Sequence, residues 1–523
     1  MGLPTPRGGY LLALWVFATF LVGSTSYARQ PTRVCSDSID VFGLTQVKGK
    51  RAPSNDSSRP NVLFIAVDDL RPQLGCYGDV VAHTPNIDRL AKLGIVFNRA
   101  YCQQAVCAPS RASVLTGRRP DATKVWDLKT HFRTALPHVV TLPQYFKQHG
   151  YDTRNVGKIY HDPKNAQDPI SWSAPEIMAV TDEAGPKYVL TENLPTAGSG
   201  KAAATECVDV PDSAYVDGKV GNAAVELIDE LKDTTFFLAV GFRRPHLPFT
   251  APKRYWDLYD ADEIPLPAHD RAPENTPEIA LHNSVELRGY TDIPDVGPMS
   301  PGKIRELRHG YYASVSYIDH QIGRLLDALE RQNLLANTII VLWSDHGYHL
   351  GELDLWSKTT NFELDTRVPL IIASPLFPHQ YVHTDALVEL VDLYPTLADL
   401  AGLPITDGLE GTSMVPLIAN PHQPWKKAAF SQFPRPWMYK GEPEVMGYSV
   451  RTADYRYTEW IATHDKSVKA AELYHYNEGV ETANLINQAT YRKKQAVLRR
   501  LLHDGWKKAG PGNAGKSSPF KKY

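Results

Sequence analysis

Two apolar runs constrain this chain most. NVLFIAV, ending at Val67, and TIIVLW, ending at Trp343, show no alternation of polar and apolar residues. A strand of that kind is buried on both faces, as in a parallel sheet covered by helices on either side. The run from Val62 to Val67 predicts one such strand, and FFLAVGF at 236–242 a second. NTIIVLWSDHG at 337–347 and RVPLIIASP at 367–375 predict two more. Helical patterns separate them. HTPNIDRLAKLG places Thr84 as N-cap and Pro85 in the first turn. Residues 143–150 read as another helix, and VELVDLYPTLADLAG as a further one. The plainest helix is 303–331, where Ile304, Leu307, Tyr311, Val315, Ile318, Ile322, Leu325 and Leu329 step by three or four into one apolar stripe. Strands alternating with helices predict an α/β fold around a large, mostly parallel sheet.

The ends of the chain differ from its middle. Residues 1–28 have the form of a signal peptide: Arg7 gives the positive start, Tyr10 to Gly23 an apolar run short for a bilayer, and Ser26-Tyr27-Ala28 a small-residue cleavage site. An uncleaved anchor is the alternative. Residues 29–59 read as a polar leader, 60–420 as the main domain and 421–507 as a smaller C-terminal subdomain. In the last of these, MGYSVRTADYRYTEWI at 446–461 alternates and predicts antiparallel strands. The Gly/Pro/Lys-rich 508–523 is expected to be a mobile tail. Export follows, to a periplasm, the outside or a lysosomal-type lumen, with no stable membrane association once the signal is cleaved. Lys+Arg total 56 against 58 Asp+Glu, so bulk charge draws in neither nucleic acid nor an anionic membrane.

Five cysteines, at 35, 76, 102, 107 and 207, do not make a disulfide scaffold. In an oxidising compartment a lone thiol pairs or reacts. Cys107, in VCAPSR, is therefore bridged, reactive or not retained as cysteine, and Cys102 is a candidate partner.

Candidate chemistry gathers at the strand ends. Asp68 and Asp69 follow the first run, and Asp345 and His346 the third. Ligands of open parallel sheets bind at the carboxyl ends of strands. Three carboxylates buried there repel one another, and a hard divalent cation resolves the conflict. Helix N-capping by one Asp of each pair is the alternative. Pro109 fits the first turn of a helix running from Ser110 toward Thr116. Cys107 would then lie just before a helix N-terminus, where anions gather and a thiolate is stabilised. Arg111 in that first turn works against the helix dipole, which suggests a role in gripping an oxyanion. VGKIYH adds Lys158 and His161, RRPHLPF adds His246 and LWSKTTNF adds Lys358. Each of these four, taken singly, reads as an ordinary Lys or His.

Cys107-Ala108-Pro109-Ser110-Arg111, followed by ASVLTGRRP, resembles the C-x-P-S-R signature of the type I sulfatases. VDD, VGKIYH, VGFRRPHLPF, SDHGYHLGE, LWSKTTNF and MGYSVRTADYRYTEW resemble the iduronate-2-sulfatase branch of that family. The resemblance implies an alkaline-phosphatase-like α/β sandwich with a smaller C-terminal α+β subdomain. It implies that a maturase converts Cys107 to formylglycine before export. It implies one calcium ion held by Asp68, Asp69, Asp345 and His346, with the side chain of residue 107 completing the shell. His346 stands where many sulfatases carry Asn. Lys158, Lys358, His246 and Arg111 would surround the sulfate. The implied reaction is attack of the aldehyde hydrate on sulfur, giving a covalent sulfo-enzyme. His246, with Lys358, would protonate the leaving alcohol, and His161 would deprotonate the remaining hydroxyl. The implied substrate is a 2-O-sulfate on iduronate or a related uronic acid of a sulfated polysaccharide, with specificity in loops 162–235 and 262–302. Alternatives are a phosphodiesterase or phosphonate hydrolase of the same superfamily, and a catalytically silent carbohydrate-binding protein. The intact polar set argues against the silent protein. A thiol oxidoreductase on Cys102 and Cys107 lacks the C-x-x-C spacing.

Overall fold

The computed structural model describes residues 59–512, apart from 162–166, 178–186, 195–200, 378–380 and 477–478. The signal segment, Cys35, nearly all of the leader and most of the tail lie outside the described residues. Among those described, no helix is long and apolar enough to cross a membrane.

An eight-stranded sheet carries the fold. Its strands are β1 (Asn61–Val67), β2 (Ile95–Tyr101), β3 (Asp152–Gly157), β4 (Phe236–Phe242), β5 (Thr338–Ser344), β6 (Arg367–Val368), β7 (Leu370–Ala373) and β8 (Val382–Glu389). The path runs β6–β2–β7–β5–β1–β4–β3, and β8 pairs with β2. Pairings β5–β1, β1–β4, β4–β3 and β8–β2 are parallel. The stretch read as one strand at 367–375 is in fact β6 and β7, interrupted at Pro369, and it runs antiparallel to its neighbours β2 and β5. Proline has no N–H to give a ladder, which accounts for the break. The sheet is thus mixed and mostly parallel.

Both faces of β1 are buried, as its unalternating sequence requires. Leu63, Ile65 and Val67 join one core with the long helix Pro301–Arg331, while Val62, Phe64 and Ala66 join a second core on the opposite face. Seven of the eight stripe residues of that helix are fully packed in the first core, and Ile304 packs partly against it. Ser300 starts the helix, its hydroxyl accepting the Lys303 N–H at 3.2 Å. Helices Leu142–Gln148 and Leu393–Leu400 contribute to the second core.

Local details differ from the sequence expectations. Thr84 sits at an N-cap but makes no cap bond; its hydroxyl oxygen accepts the Gly75 N–H at 2.9 Å instead. The segment read as a helix from 388 begins as the end of β8, turns tightly at 390–392 and only then becomes helical. The helix after Cys107 begins at Cys107 itself, with extended Val106 at its N-cap, so it is three residues longer than its Pro109 suggested. Strands β2, β3 and β8 went unread because Asn98, Arg99, Arg154 and Asp385 interrupt their apolar pattern.

Beyond the sheet, β9 (Ala429–Arg435), β10 (Val445–Arg451), β11 (Tyr455–Ala462) and β12 (Val468–His475) form a four-stranded antiparallel sheet, followed by a helix at Arg492–Asp504. Glu363 ties it to the main body. Its carboxylate accepts bonds from Arg451 and Arg456, at 2.9 Å each.

Candidate active site

Strand register assembles the site. Val67 lies level with both Ser344 and Phe242, and Gly157 with Gly241. Asp68-Asp69, Asp345-His346 and Lys158 therefore leave the sheet at one edge. The strands can close there because of two glycines. A Cβ on Gly241 would come within 2.0 Å of the Lys158 carbonyl oxygen, and one on Gly157 within 2.1 Å of the Gly241 carbonyl oxygen. Asp69 itself sits at φ 62°, a strained conformation for a side chain that the surroundings must hold.

Asp68, Asp69, Cys107 and His346 present ligand atoms that all lie within 4.8 Å of one another, and all four residues are buried. Cys107 Sγ is 3.4 Å from Asp68 Oδ1 and 3.3 Å from His346 Nε2. Asp69 Oδ1 is 3.4 Å from the same Nε2 and has no hydrogen-bond partner although buried. His346 Nδ1 stands 2.9 Å from the Gly347 carbonyl oxygen, which only an Nδ1–H satisfies, so the Nε2 lone pair faces the cluster. This donor set, with one orphaned carboxylate oxygen, fits a divalent cation. Asp345 stands beside the group: its Oδ2 accepts from Arg111 Nε at 2.7 Å, and its Oδ1 accepts the Asp69 and His346 N–H groups.

Charge is balanced tightly. The Lys158 ammonium donates to Asp68, and the Lys358 ammonium reaches both Asp69 Oδ2 and Glu286 Oε1 at 2.9 Å. Burial alone pushes the Asp68 carboxyl up, but Lys158, His246 and Arg111 overcome this and hold it well below the usual range. For Asp69 burial prevails over Lys358 and the group is raised. Burial, then Asp68, also pushes the Cys107 thiol well above its ordinary value. The expected thiolate is therefore not favoured here, because desolvation and the adjacent carboxylate outweigh the helix N-terminus. Nor are Cys102 and Cys107 bridged: both are free, with Cys102 Sγ set against the Asp365 carbonyl oxygen at 3.8 Å.

A cavity of about 750 Å³ opens over this cluster, lined by Cys107, His161, His246 and Lys358 among the residues read from sequence. Burial and nearby Lys158 push His161 down; burial and Lys358 do the same to His246. His161 Nδ1 is buried without a hydrogen-bond partner. His246 Nδ1 lies 2.7 Å from the Leu247 carbonyl oxygen and Nε2 lies 3.3 Å from Glu286 Oε1. The Nδ1–H is used on the carbonyl, so Nε2 presents its lone pair beside Glu286 Oε1, which also accepts from Lys358 Nζ at 2.9 Å. Arg111 does not line the cavity. Its side chain is 1% exposed, donates to the Lys158 and Ile159 carbonyls, and stands behind the acids, with Nη2 3.5 Å from Asp68 Oδ1. Glu286 is the main residue that sequence reasoning passed over. It falls in the 262–302 loop, where nothing local announces that it meets Lys358 and His246.

Residues 60–403 match the family described as Sulfatase, and residues 351–508 match N-sulphoglucosamine sulphohydrolase, C-terminal. The chain is 37% identical to iduronate 2-sulfatase of Mus musculus over 494 residues, covering 79% of this chain and 88% of that one. Among solved structures it resembles the phosphonate monoester hydrolase of Agrobacterium radiobacter, with TM-score 0.72 and 23% identity, covering 85% of this chain and 95% of that one. It also resembles a 2-O GAG sulfatase, with TM-score 0.66 and 22% identity, covering 85% and 91%. These two likenesses concern the fold, an alkaline-phosphatase-like sandwich with a C-terminal antiparallel sheet.

Proposed function

The chain belongs to the sulfatase family, hydrolases of sulfuric esters, and from that premise we propose that it removes a 2-O-sulfate from iduronate or a related uronic acid of a sulfated polysaccharide. In this reading it acts after export to a periplasm, a lumen or the outside, with residues 60–420 as the catalytic domain and 421–507 as the subdomain. The observation that carries the reading is the convergence of Asp68, Asp69, Cys107 and His346 beneath a cavity whose lining includes His161, His246 and Lys358. The 37% identity to a protein named iduronate 2-sulfatase supports the sugar.

Asp68, Asp69 and His346, with residue 107 and Asp345 beside them, are the residues to hold a calcium ion. Such an ion supplies charge neutralisation to a sulfate oxygen. A maturase is assigned the conversion of Cys107 to formylglycine, whose hydrate supplies the hydroxyl that attacks sulfur. The chain's own groups do the rest. Lys158 and Lys358, both buried and held protonated by their carboxylates, counter the charge of an anionic ester. His246, with Lys358, whose ammonium carries the proton, is assigned the protonation of the departing alcohol oxygen. His161, kept neutral by burial, offers a nitrogen base at residue 107. Arg111 positions Asp345 and Asp68.

Sulfate release from a panel of defined sulfated sugars, with metal removed and restored and matched phosphate esters alongside, tests the proposal. Release from 2-O-sulfated uronates that is lost on chelation and recovered with calcium is expected. Faster turnover of the phosphate esters, or release only from sugars sulfated elsewhere, overturns it.

A further inference from the structure

The cavity has a second wall that the chemistry at sulfur leaves unused. Strand β9 of the C-terminal sheet ends at Arg435, and Arg435, Pro436, Trp437 and Met438 line the same cavity as Cys107 and His161. A guanidinium carries five N–H groups. Four of those on Arg435 go to backbone carbonyls: Nε to Ile279 at 2.9 Å, Nη1 to Pro434 at 3.2 Å, and Nη2 to Ala280 at 3.4 Å and Thr359 at 2.9 Å. The fifth, on Nη1, is left over.

No carboxylate of the described residues pairs with Arg435; Glu472 and Asp365 act on it only through space. Arg111, Arg119, Arg451 and Arg456 are also buried, and each meets a carboxylate directly. The Arg244 side chain, wholly buried, also bonds only to Thr250 and the His246 carbonyl, but Arg435, 8% exposed, is the one of the two that lines the cavity. Burial lowers its pKa to about 10, so it stays charged at neutral pH. Holding a desolvated charge without a counter-ion is costly unless an anion arrives to meet it. The bond to the Thr359 carbonyl also anchors it one residue along the chain from Lys358, on the sulfate side of the cavity.

We propose that Arg435 is a specificity residue, receiving on its spare Nη1–H the carboxylate of the sulfated uronic acid. The inference rests on the cavity being the sulfate-ester site described above. A competing role is visible: Arg435 also clamps the 357–360 loop, in which Ser357 and Thr359 hold left-handed backbones at φ 73° and 97°. A clamp treats all substrates alike, whereas a carboxylate receptor does not.

The test measures kcat/KM for a 2-O-sulfated uronic acid and for its carboxyl-reduced counterpart, in the wild type, Arg435→Gln and Arg435→Lys. A hydrogen bond to a charged group amounts to about 10- to 100-fold in this ratio. The wild type is expected to prefer the carboxylate by that factor, Arg435→Gln to bring the ratio near one, and Arg435→Lys to recover part of it. Equal wild-type turnover of both sugars, or a ratio unchanged in Arg435→Gln, overturns this inference and leaves the sulfatase reading standing. Should Arg435→Gln fail to fold, the wild-type ratio together with Arg435→Lys still decides. Turnover of an aryl sulfate but of neither sugar overturns the uronate reading itself.

Discussion

Lys358 offers the sharpest perturbation. Its ammonium lies 2.9 Å from Asp69 Oδ2 and 2.9 Å from Glu286 Oε1, and its side chain is only 4% exposed. At an effective dielectric constant of about 20, each contact is worth roughly 6 kcal/mol before desolvation is subtracted. Removing one partner of a buried pair costs about 3–5 kcal/mol, because the other charge is left unmatched. Lys358→Met leaves two carboxylates facing each other, so a clear fall in Tm is expected. The loss of one cation beside the ester should lower kcat/KM by about 10²–10³-fold. Glu286 is partly exposed, so Glu286→Gln should destabilise by less, about 1 kcal/mol. The double variant discriminates. With Lys358 gone, Glu286→Gln removes a repulsion and should raise Tm relative to Lys358→Met alone. A double-mutant cycle in thermal unfolding and in sulfate release measures the coupling, expected at about 1–3 kcal/mol. Strict additivity would refute the three-way pairing of Asp69, Lys358 and Glu286.

Two further predictions lie at different levels. His161→Ala should slow multiple turnover by about 10²–10⁴-fold while a rapid first release of alcohol survives, because the residue is assigned to the second half of the reaction; stopped-flow with a chromogenic sulfate reads this, and loss of the burst would assign His161 to the first half. Asp319 accepts the N–H groups of Asn86 and Ile87 at the start of helix Pro85–Lys92, and burial raises its pKa to about 7. Its folded-state pKa lies above the unfolded value, so its contribution to stability is complete below about pH 4 and is lost as pH rises toward 7. Urea unfolding of Asp319→Asn should accordingly show a weaker fall in stability across that window than the wild type; identical slopes would contradict the assignment.

How much was legible in the sequence follows from which forces are local. Unalternating runs such as 62–67 and 236–242 announce strands buried twice over, and the 303–331 stripe announces its helix, because burial periodicity is written residue by residue. The acids after Val67 and Ser344 were legible for the same reason: a strand that ends in charge ends at a sheet edge. Strand β2 was not, since Asn98 and Arg99 sit within it and its pairing with β6, β7 and β8 comes from segments more than 260 residues away. Arg111 shows the limit at the site. Its place in the first turn of a helix suggested a grip on substrate, but the fold turns it to Asp345 and Asp68. Glu286 and Arg435 gain their meaning only when a loop and the second sheet reach the cavity, and no spacing in the chain records that meeting.

The proposed sulfate chemistry depends most on residue 107 acting as an aldehyde inside the acid–imidazole cluster. Mass spectrometry of the peptide containing residue 107, on preparations made with and without a maturase, should show the aldehyde fraction rising in proportion to sulfate-release activity, with Cys107→Ala inactive. Full activity in a preparation whose residue 107 is entirely thiol, or in Cys107→Ala, would contradict it.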